Sequence, residues 1–153
     1  MGVFVGLMVA AAVVVALAVW RKGNRPAADP AASASFLVTN RAAPGVTQTA
    51  SGVQYRVLKP ADGPTPTDRD TVRITYTGRL IDGTVFDRSA KPVSFGVGDV
   101  VPGFSEALKL MPVGSSYRVW IPSDLGYGPR GAGPIPGNAV LVFDIDLVGI
   151  EGR

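Results

Sequence analysis

Four short stretches of the chain alternate apolar and polar side chains, and this pattern restricts the possible folds most strongly. They cover residues 53–58, 72–77, 116–121 and 141–147. Alternation with a period of two is typical of β-strands that bury one face and expose the other. Asp-Gly pairs at 62–63 and 82–83 supply turns of the kind expected between strands. The pattern predicts an antiparallel sheet, and the nineteen glycines and thirteen prolines also argue against an all-helical protein.

One internal segment has the periodicity of a helix. Its apolar residues are spaced at i, i+3, i+4 and i+7, and they are Phe104, Ala107, Leu108 and Met111. A proline and a glycine follow, as is usual after a helix. The spacing predicts a helix over residues 103–111. The chain is therefore expected to contain an α+β domain, with an antiparallel sheet of about five strands wrapped around one short α-helix.

Two residue types are missing from the chain, and their absence restricts the chemistry. The sequence contains neither histidine nor cysteine. This excludes Ser-His-Asp and Cys-His nucleophilic sites, the usual zinc sites and disulfides. We therefore expect no metal and no cofactor.

The first part of the chain is apolar without interruption from Gly2 to Trp20. Nineteen helical residues rise about 28 Å, enough to cross a hydrocarbon core of roughly 30 Å. Trp20 and the following Arg21-Lys22 fit an interfacial aromatic residue and a charged stop. The segment is predicted to be a single transmembrane anchor. A cleaved signal peptide is the alternative, because Ala32-Ser33-Ala34 resembles a cleavage site, although it lies far beyond the apolar run.

The positive charge of the chain lies next to this apolar run. Residues 51–153 carry eleven Lys/Arg and eleven Asp/Glu, whereas residues 21–50 carry four Lys/Arg and one Asp. Cations in this position are suited to lipid headgroups. Nucleic-acid binding would need a basic face on the folded part, so we expect no nucleic-acid partner.

The composition divides the chain into three parts. Residues 1–20 form the predicted anchor, and residues 51–153 form the predicted globular domain. Residues 21–50, rich in Ala, Pro, Ser, Thr and Gly, are predicted to be a flexible linker. Within the linker, residues 33–41 are expected either to form a short helix or to lie along the domain.

One motif match has no functional meaning. Residues 126–131 fit the dinucleotide pattern GxGxxG letter for letter. That site requires a helix that begins at the glycines, and Pro129, Pro134 and Pro136 exclude one here. We therefore do not expect dinucleotide binding.

Five blocks in the globular part resemble the FKBP-type peptidyl-prolyl isomerases. Residues 75–87 read TYTGRLIDGTVFD, and residues 121–128 read IPSDLGYG. Residues 91–104, 106–114 and 135–147 resemble the remaining blocks, in order and with their spacings kept. The lead-in at residues 36–55 resembles bacterial members of the macrophage-infectivity-potentiator type. The resemblance implies an FKBP-like fold and rotation about X-Pro bonds in polypeptide substrates, without a cofactor.

The resemblance also implies the site. The catalytic positions would be Tyr76, Phe86, Asp87, Phe104, Tyr127 and Phe143. The substrate-binding positions would be Phe95, Val100, Val101 and Ile135. In this interpretation Phe104 is the floor of an aromatic pocket and Asp87 is its only charged group. The Tyr127 hydroxyl and the Ile135 backbone N–H would contact the peptide. Burial through structural hydrogen bonds is the alternative role of Asp87, and Asp144 and Asp146 are expected to be solvated.

Two questions stay open at the level of sequence. The same pocket would also suit a noncatalytic peptide-binding or chaperone module, and it would suit a macrolide inhibitor. The resemblance implies a periplasmic domain, since such relatives are usually exported. The positive-inside rule, applied to the cations that follow the apolar run, implies a cytoplasmic one.

Overall fold

The computed structural model describes residues 26–152, in which one antiparallel sheet holds seven strands. The strands are β1 (Val46–Gln48), β2 (Gln54–Lys59), β3 (Thr71–Arg79), β4 (Val85–Arg88), β5 (Val93–Gly96), β6 (Ser116–Ile121) and β7 (Leu141–Ile150). The helices are α1 (Pro30–Arg41) and α2 (Pro102–Leu110). The strand order is β1-β2-β6-β7-β3-β4, and β5 also pairs with β3. The predicted α+β architecture is confirmed, with seven strands instead of about five.

The core lies between the inner face of the sheet and α2. Strands β3 and β7 pair over their length and bury alternate residues, so that Ile74 and Leu147 are opposite each other and inaccessible to solvent. Helix α2 begins with Pro102 in its first turn, where proline costs no hydrogen bond. Met111 after the helix is extended, since the following proline disfavours helical geometry there. The predicted helix at 103–111 is confirmed with its start and its end one residue earlier.

The segment predicted to be a flexible linker is ordered where the structure describes it. Asp29 caps α1 by accepting a hydrogen bond from the Ala31 N–H at 3.0 Å. Phe36 and Leu37 pack against the outer face of the sheet around Trp120. A short helix was one of the two alternatives expected for residues 33–41, and the observed helix begins three residues earlier. Packing on the sheet stabilises it.

A buried glutamine attaches α1 to the sheet. Gln54 is inaccessible to solvent, and its Nε2 donates to the Leu37 carbonyl at 2.8 Å. Its Oε1 accepts from Asn40 Nδ2 at 2.8 Å, and Gln48 is a third partner. A buried amide with its donors and acceptors satisfied fixes the position of the helix. The lead-in is therefore part of the folded domain from α1 onward.

The outer face also carries an ion-pair cluster. Asp144 accepts from Arg118 Nε at 2.6 Å and from Arg79 NH1 at 3.0 Å. Burial opposes ionisation, but these hydrogen bonds outweigh it and lower the pKa of Asp144. The expectation of a merely solvated Asp144 is therefore wrong, because β7 places it between two arginines of neighbouring strands. Asp146 is exposed, as expected.

The predicted transmembrane helix at residues 2–20 lies outside the described residues. From residue 26 to residue 152, neither helix has the length and apolar character needed to cross a bilayer. The GxGxxG match falls on a 3-10 turn, Gly128–Arg130, and no α-helix begins there.

Candidate peptide-binding site

Five aromatic side chains from five different elements meet on the inner face of the sheet. The ring of Phe143 on β7 lies 4.8 Å from that of Phe104 on α2 and 5.6 Å from that of Phe86 on β4. The Tyr76 ring on β3 lies 6.2 Å from Phe143 and 5.9 Å from the Phe95 ring on β5. Phe143 meets Phe104 and Phe86 nearly at right angles, an arrangement that adds to the stabilisation from burial.

A glycine of β3 makes room for two of these rings. A Cβ atom at Gly78 would lie 2.7 Å from Phe86 Cζ and 2.8 Å from Phe143 Cε1. Both distances are too short for carbon atoms, so any side chain here would push the rings apart. Sequence reasoning missed this role, although the glycine was visible in the 75–87 block. Its backbone is not in the left-handed region, so the requirement for glycine is one of space.

Asp87 lies directly beside the aromatic cluster. Of the charged residues within 26–152, it is the one that is buried, with 3% of its surface exposed. Its Oδ2 accepts a hydrogen bond from the Tyr76 hydroxyl at 2.9 Å, while Oδ1 has no hydrogen-bond partner among the described residues. Burial raises the pKa of Asp87 to about 6, against the lowering effect of Tyr76 and the Arg88 backbone.

The charge of Asp87 affects the pKa of both the Tyr76 and the Tyr127 hydroxyl. Burial, followed by the charge of Asp87, raises the pKa of both phenols far above the usual value. Tyr127 is half-buried and packs against the same core as the aromatic cluster. Both phenols are therefore protonated at neutral pH and able to donate a hydrogen bond.

The remaining predicted positions belong to the hydrophobic core that contains the aromatic cluster. Val100 and Val101 precede α2, and Ile135 lies in the loop between β6 and β7, all three buried in this core. All nine apolar and aromatic predicted positions are thus part of one hydrophobic core or pack against it, and five of them are in ring contact. The residues Phe104, Phe86 and Phe143 are at most 1% exposed. Other residues therefore cover the predicted floor of the pocket almost completely.

The polar contact expected from Ile135 is already used inside the protein. Its backbone N–H donates to the Ala132 carbonyl at 2.8 Å. Val101 offers a different donor. It is the N-cap of α2, so its N–H has no acceptor within the helix. Sequence reasoning assigned Val101 only an apolar role, and the start of the helix at Pro102 is the signal that would have indicated its amide.

The arrangement combines aromatic rings that are almost fully buried, one carboxyl group and the Tyr127 hydroxyl. The described part of the chain has no group of three side chains suited to hold a metal ion. A cluster of this composition can bind an apolar ring and orient an amide once its rings are uncovered.

Comparison with known proteins decides the family. Residues 63–148 match the model of the FKBP-type peptidyl-prolyl cis-trans isomerases, and residues 16–57 match the domain amino terminal to such isomerases. The chain belongs to the FKBP-type peptidyl-prolyl cis-trans isomerase family. The second match covers α1 and β1, which agrees with their packing on the sheet.

Relatives and solved structures agree with this assignment. The chain is 46% identical to the outer membrane protein MIP of Legionella longbeachae, over 76% of this chain and 52% of that protein. It is 49% identical to a 22 kDa FKBP-type isomerase of Escherichia coli, over 75% of this chain and 58% of that protein. An isomerase from Pseudomonas syringae superposes with a TM-score of 0.77 at 40% identity, covering 78% of this chain and 91% of that one. The chain spans about half the length of the curated relatives it matches.

Proposed function

We propose that this protein is a peptidyl-prolyl cis-trans isomerase that rotates X-Pro bonds in polypeptides. The observation that carries the proposal is the cluster of aromatic rings around Phe143 with one buried carboxyl group, Asp87, at its side. Membership of the family supports it independently. The proposal requires no nucleophile, in agreement with a chain that lacks histidine and cysteine.

The reaction needs selective binding and no covalent chemistry. Rotation about the amide bond gives up its resonance against a barrier of about 18–20 kcal/mol. The cis and trans forms of X-Pro differ by only about 0.5–1 kcal/mol, so a catalyst has to lower the barrier alone. A twisted amide has less charge separation than a planar one. A site from which water is excluded therefore binds the twisted form better than the planar form.

The described residues divide this task between them. The proline ring packs on Phe104, Tyr76 and Phe143, with Phe86, Phe95, Val100 and Ile135 as the surrounding wall. The Tyr127 hydroxyl and the Val101 backbone N–H donate to carbonyls of the peptide and hold it in a turn. Because the floor is covered, the half-buried rings of Phe95 and Tyr127 shift when the peptide enters.

Asp87 acts next to the amide that rotates. Its Oδ1 atom has no hydrogen-bond partner among residues 26–152, so this is the oxygen that we assign to the interaction with the substrate. The Tyr76 hydroxyl holds the other oxygen in place. We assign Asp87 the role of an electrostatic partner of the twisted amide, favoured by the low dielectric of the site.

A protease-coupled assay on a short Ala-Leu-Pro-Phe anilide tests the proposal. We expect Tyr127→Phe and Asp87→Leu each to lower kcat/KM by about tenfold or more, since each loses a placed polar contact. Tyr117→Phe is the matched control. Tyr117 is also buried, but it stacks on Tyr55 at 5.4 Å and its hydroxyl points to the Leu110 carbonyl. Its kcat/KM should stay within about twofold of the wild type.

The same assay separates the enzyme from a noncatalytic peptide-binding module. A module would bind the peptide, weakened by Tyr127→Phe, without accelerating isomerisation. Binding without turnover in the wild type would therefore contradict the proposal.

We further propose that residues 2–20 anchor the protein in a membrane and that the domain is periplasmic. The apolar run and the outer-membrane name of the Legionella longbeachae relative support this. Protease treatment of intact spheroplasts should degrade the domain, whereas a cytoplasmic domain would be degraded only after lysis. Recovery of the protein in the soluble fraction would contradict the anchor.

We propose that the apolar site also accepts a macrolide inhibitor. A bound macrolide would cover the rings of the cluster and compete with the peptide anilide. Competitive inhibition that weakens in Tyr127→Phe but not in Tyr117→Phe is the expected result, and noncompetitive inhibition would contradict a shared site.

A further inference from the structure

The loop after Tyr127 carries Ile135. Hydrogen bonds between its own residues hold its conformation. Ala132 and Ile135 exchange backbone hydrogen bonds of 3.0 and 2.8 Å, and the Asn138 N–H donates to the Gly128 carbonyl at 2.9 Å. Gly137 touches the opposite side of the loop so closely that a Cβ would lie 1.9 Å from the Pro129 oxygen. We call residues 128–138 the site loop.

The lead-in to α1 meets the far end of the site loop. The Ala28 N–H donates to the Gly137 carbonyl at 2.8 Å, and Asn138 Nδ2 donates to the Ala28 carbonyl at 3.3 Å. The Ser33 hydroxyl donates to the Asn138 carbonyl at 2.9 Å. These three bonds join segments about a hundred residues apart in the sequence.

Two features show that this junction is built into the fold. Ser33 is the buried residue of α1, with 8% of its surface exposed, although serine has no apolar reason for burial. Asn138 adopts a left-handed backbone with φ of 64°, and both its side chain and its carbonyl bond to the segment 28–33. A non-glycine residue in this region is uncommon and is held by its surroundings.

We propose that Ser33 and Asn138 are positioning residues that hold the site loop ready for the peptide. The inference rests on the proposed function, because it assigns these residues an effect on Tyr127 and Ile135. Gly128, Gly131 and Gly133 all have positive φ, and each gives the loop conformational freedom that other residues lack. Without the junction, the loop populates more conformations, and peptide binding has to order it. The cost appears in KM or Kd, since only the ordered fraction binds.

The test compares two serines of one helix in the full chain. Ser33→Ala removes the hydroxyl that binds the Asn138 carbonyl, and Ser35→Ala removes an exposed hydroxyl from the same helix. We expect Ser33→Ala to raise KM for the Ala-Leu-Pro-Phe peptide about three- to tenfold, as for loss of one hydrogen bond, with kcat within about twofold. Ser35→Ala should match the wild type in both constants.

Hydrogen exchange of the free protein gives a readout that does not depend on activity. In Ser33→Ala, the hydrogen-bonded amides of the site loop, those of Ala132, Ile135 and Asn138, should exchange about three- to tenfold faster, while those of β3 and β7 keep the wild-type rates. Asn138→Gly is the second variant. Glycine keeps φ of 64° accessible but lacks the side chain that binds Ala28, so the loop should again exchange faster with an unchanged sheet.

The outcomes separate this inference from the proposed function. Unchanged exchange in the site loop of both variants overturns the positioning role, whatever the activity. Faster exchange over the whole sheet also overturns it, because Ser33 would then support global stability alone. If the wild type proves inactive while the loop alone loses protection, the proposed function fails and the junction stands as a positioning element for peptide binding, measured by Kd.

Discussion

The two faces of the sheet treat an aspartate in opposite ways. On the inner face, Asp87 is buried beside aromatic rings, and burial raises its pKa to about 6. On the outer face, Asp144 is bound by Arg79 and Arg118, and their hydrogen bonds lower its pKa despite partial burial. The Asp87 carboxyl group accepts a hydrogen bond from one side chain, whereas the Asp144 carboxylate accepts three from two arginines.

The difference separates Asp144, whose contacts stabilise the fold, from Asp87, which is a candidate for a functional role. A carboxylate between two arginines is a structural contact whose charge is neutralised. A buried carboxyl group without a cation costs stability when it ionises, and such groups cluster at functional sites. The comparison therefore separates the two aspartates without reference to any relative.

The largest expected effect compares neighbours on β7 that point to opposite faces. Phe143 belongs to the aromatic cluster, and Val142 packs with Trp120 on the outer face. Phe143→Ala should lower the free energy of unfolding by about 3–5 kcal/mol, because it leaves a large cavity. Val142→Ala should lower it by about 1–2 kcal/mol. Urea denaturation measures both losses. Equal losses would mean that the two faces of the sheet contribute equally to the free energy of unfolding.

The pH dependence of stability sharpens the comparison further. The pKa of Asp87 is about 6 in the fold and near 3.9 when unfolded, so the folded state binds more protons between these values. The contribution of Asp87 to the free energy of unfolding is fully present below about pH 4. It falls by about 2–3 kcal/mol as the pH rises to about 6. Asp144 has the opposite sign, because its contribution is lost as the pH falls below about 4.

Asp87→Asn isolates this contribution. Denaturation midpoints at pH 4.5 and pH 7 should differ less in the variant than in the wild type, since asparagine does not titrate. An identical pH dependence in the two proteins would show that Asp87 does not titrate in this range. Asp144→Asn is the control and should leave the change between these pH values as it is.

Breaking the outer ion pairs should have a smaller effect. The side chains of Arg79 and Arg118 are 35% and 36% exposed, so solvent screens them. We expect Asp144→Asn to lower the free energy of unfolding by about 1 kcal/mol at low salt, and less at 1 M salt. A loss as large as that of Phe143→Ala would mean that the outer ion pairs contribute as much to stability as the aromatic cluster does.

The smallest expected effect lies on the same outer face. The Arg56 guanidinium lies 5.7 Å from the centroid of the Trp120 ring. Arg56→Ala removes this contact together with the hydrogen bond from Nε to the Pro44 carbonyl at 3.1 Å. Because both contacts are exposed, it should lower the free energy of unfolding by less than about 1 kcal/mol. Arg73→Ala, on β3, is a matched control and should have no measurable effect. A loss above that of Asp144→Asn would reverse the order predicted here.

Long alternating stretches allowed most of the sheet to be predicted. The four predicted strands correspond to β2, β3, β6 and β7, and the apolar spacing located α2. Strands β1, β4 and β5 have only three or four residues, too few for a visible period. Helix α1 was predicted only as one of two alternatives for residues 33–41, because its contacts with Gln54 and the outer face are encoded in no local pattern.

The aromatic members of the site were predicted through the family resemblance, and the structure brings them together. What could not be predicted depends on backbone hydrogen bonds. The Ile135 N–H is used within the loop, whereas the N–H of Val101 has no acceptor within α2, which is why we propose Val101 as the donor to the peptide. The two arginines beside Asp144 were also invisible, because strand register decides which outward side chains meet.

The absence of a side chain at Gly78 limits which substitutions the neighbouring aromatic residues can accept. A Cβ atom at residue 78 would lie within 3 Å of both the Phe86 ring and the Phe143 ring. A methyl group there would therefore require smaller side chains at both positions, for example Phe86→Leu together with Phe143→Leu, for the strand to keep its place. Changes at residue 78 and in the aromatic cluster are expected to be tolerated only in combination, which makes this glycine the starting point for changing the shape of the cluster.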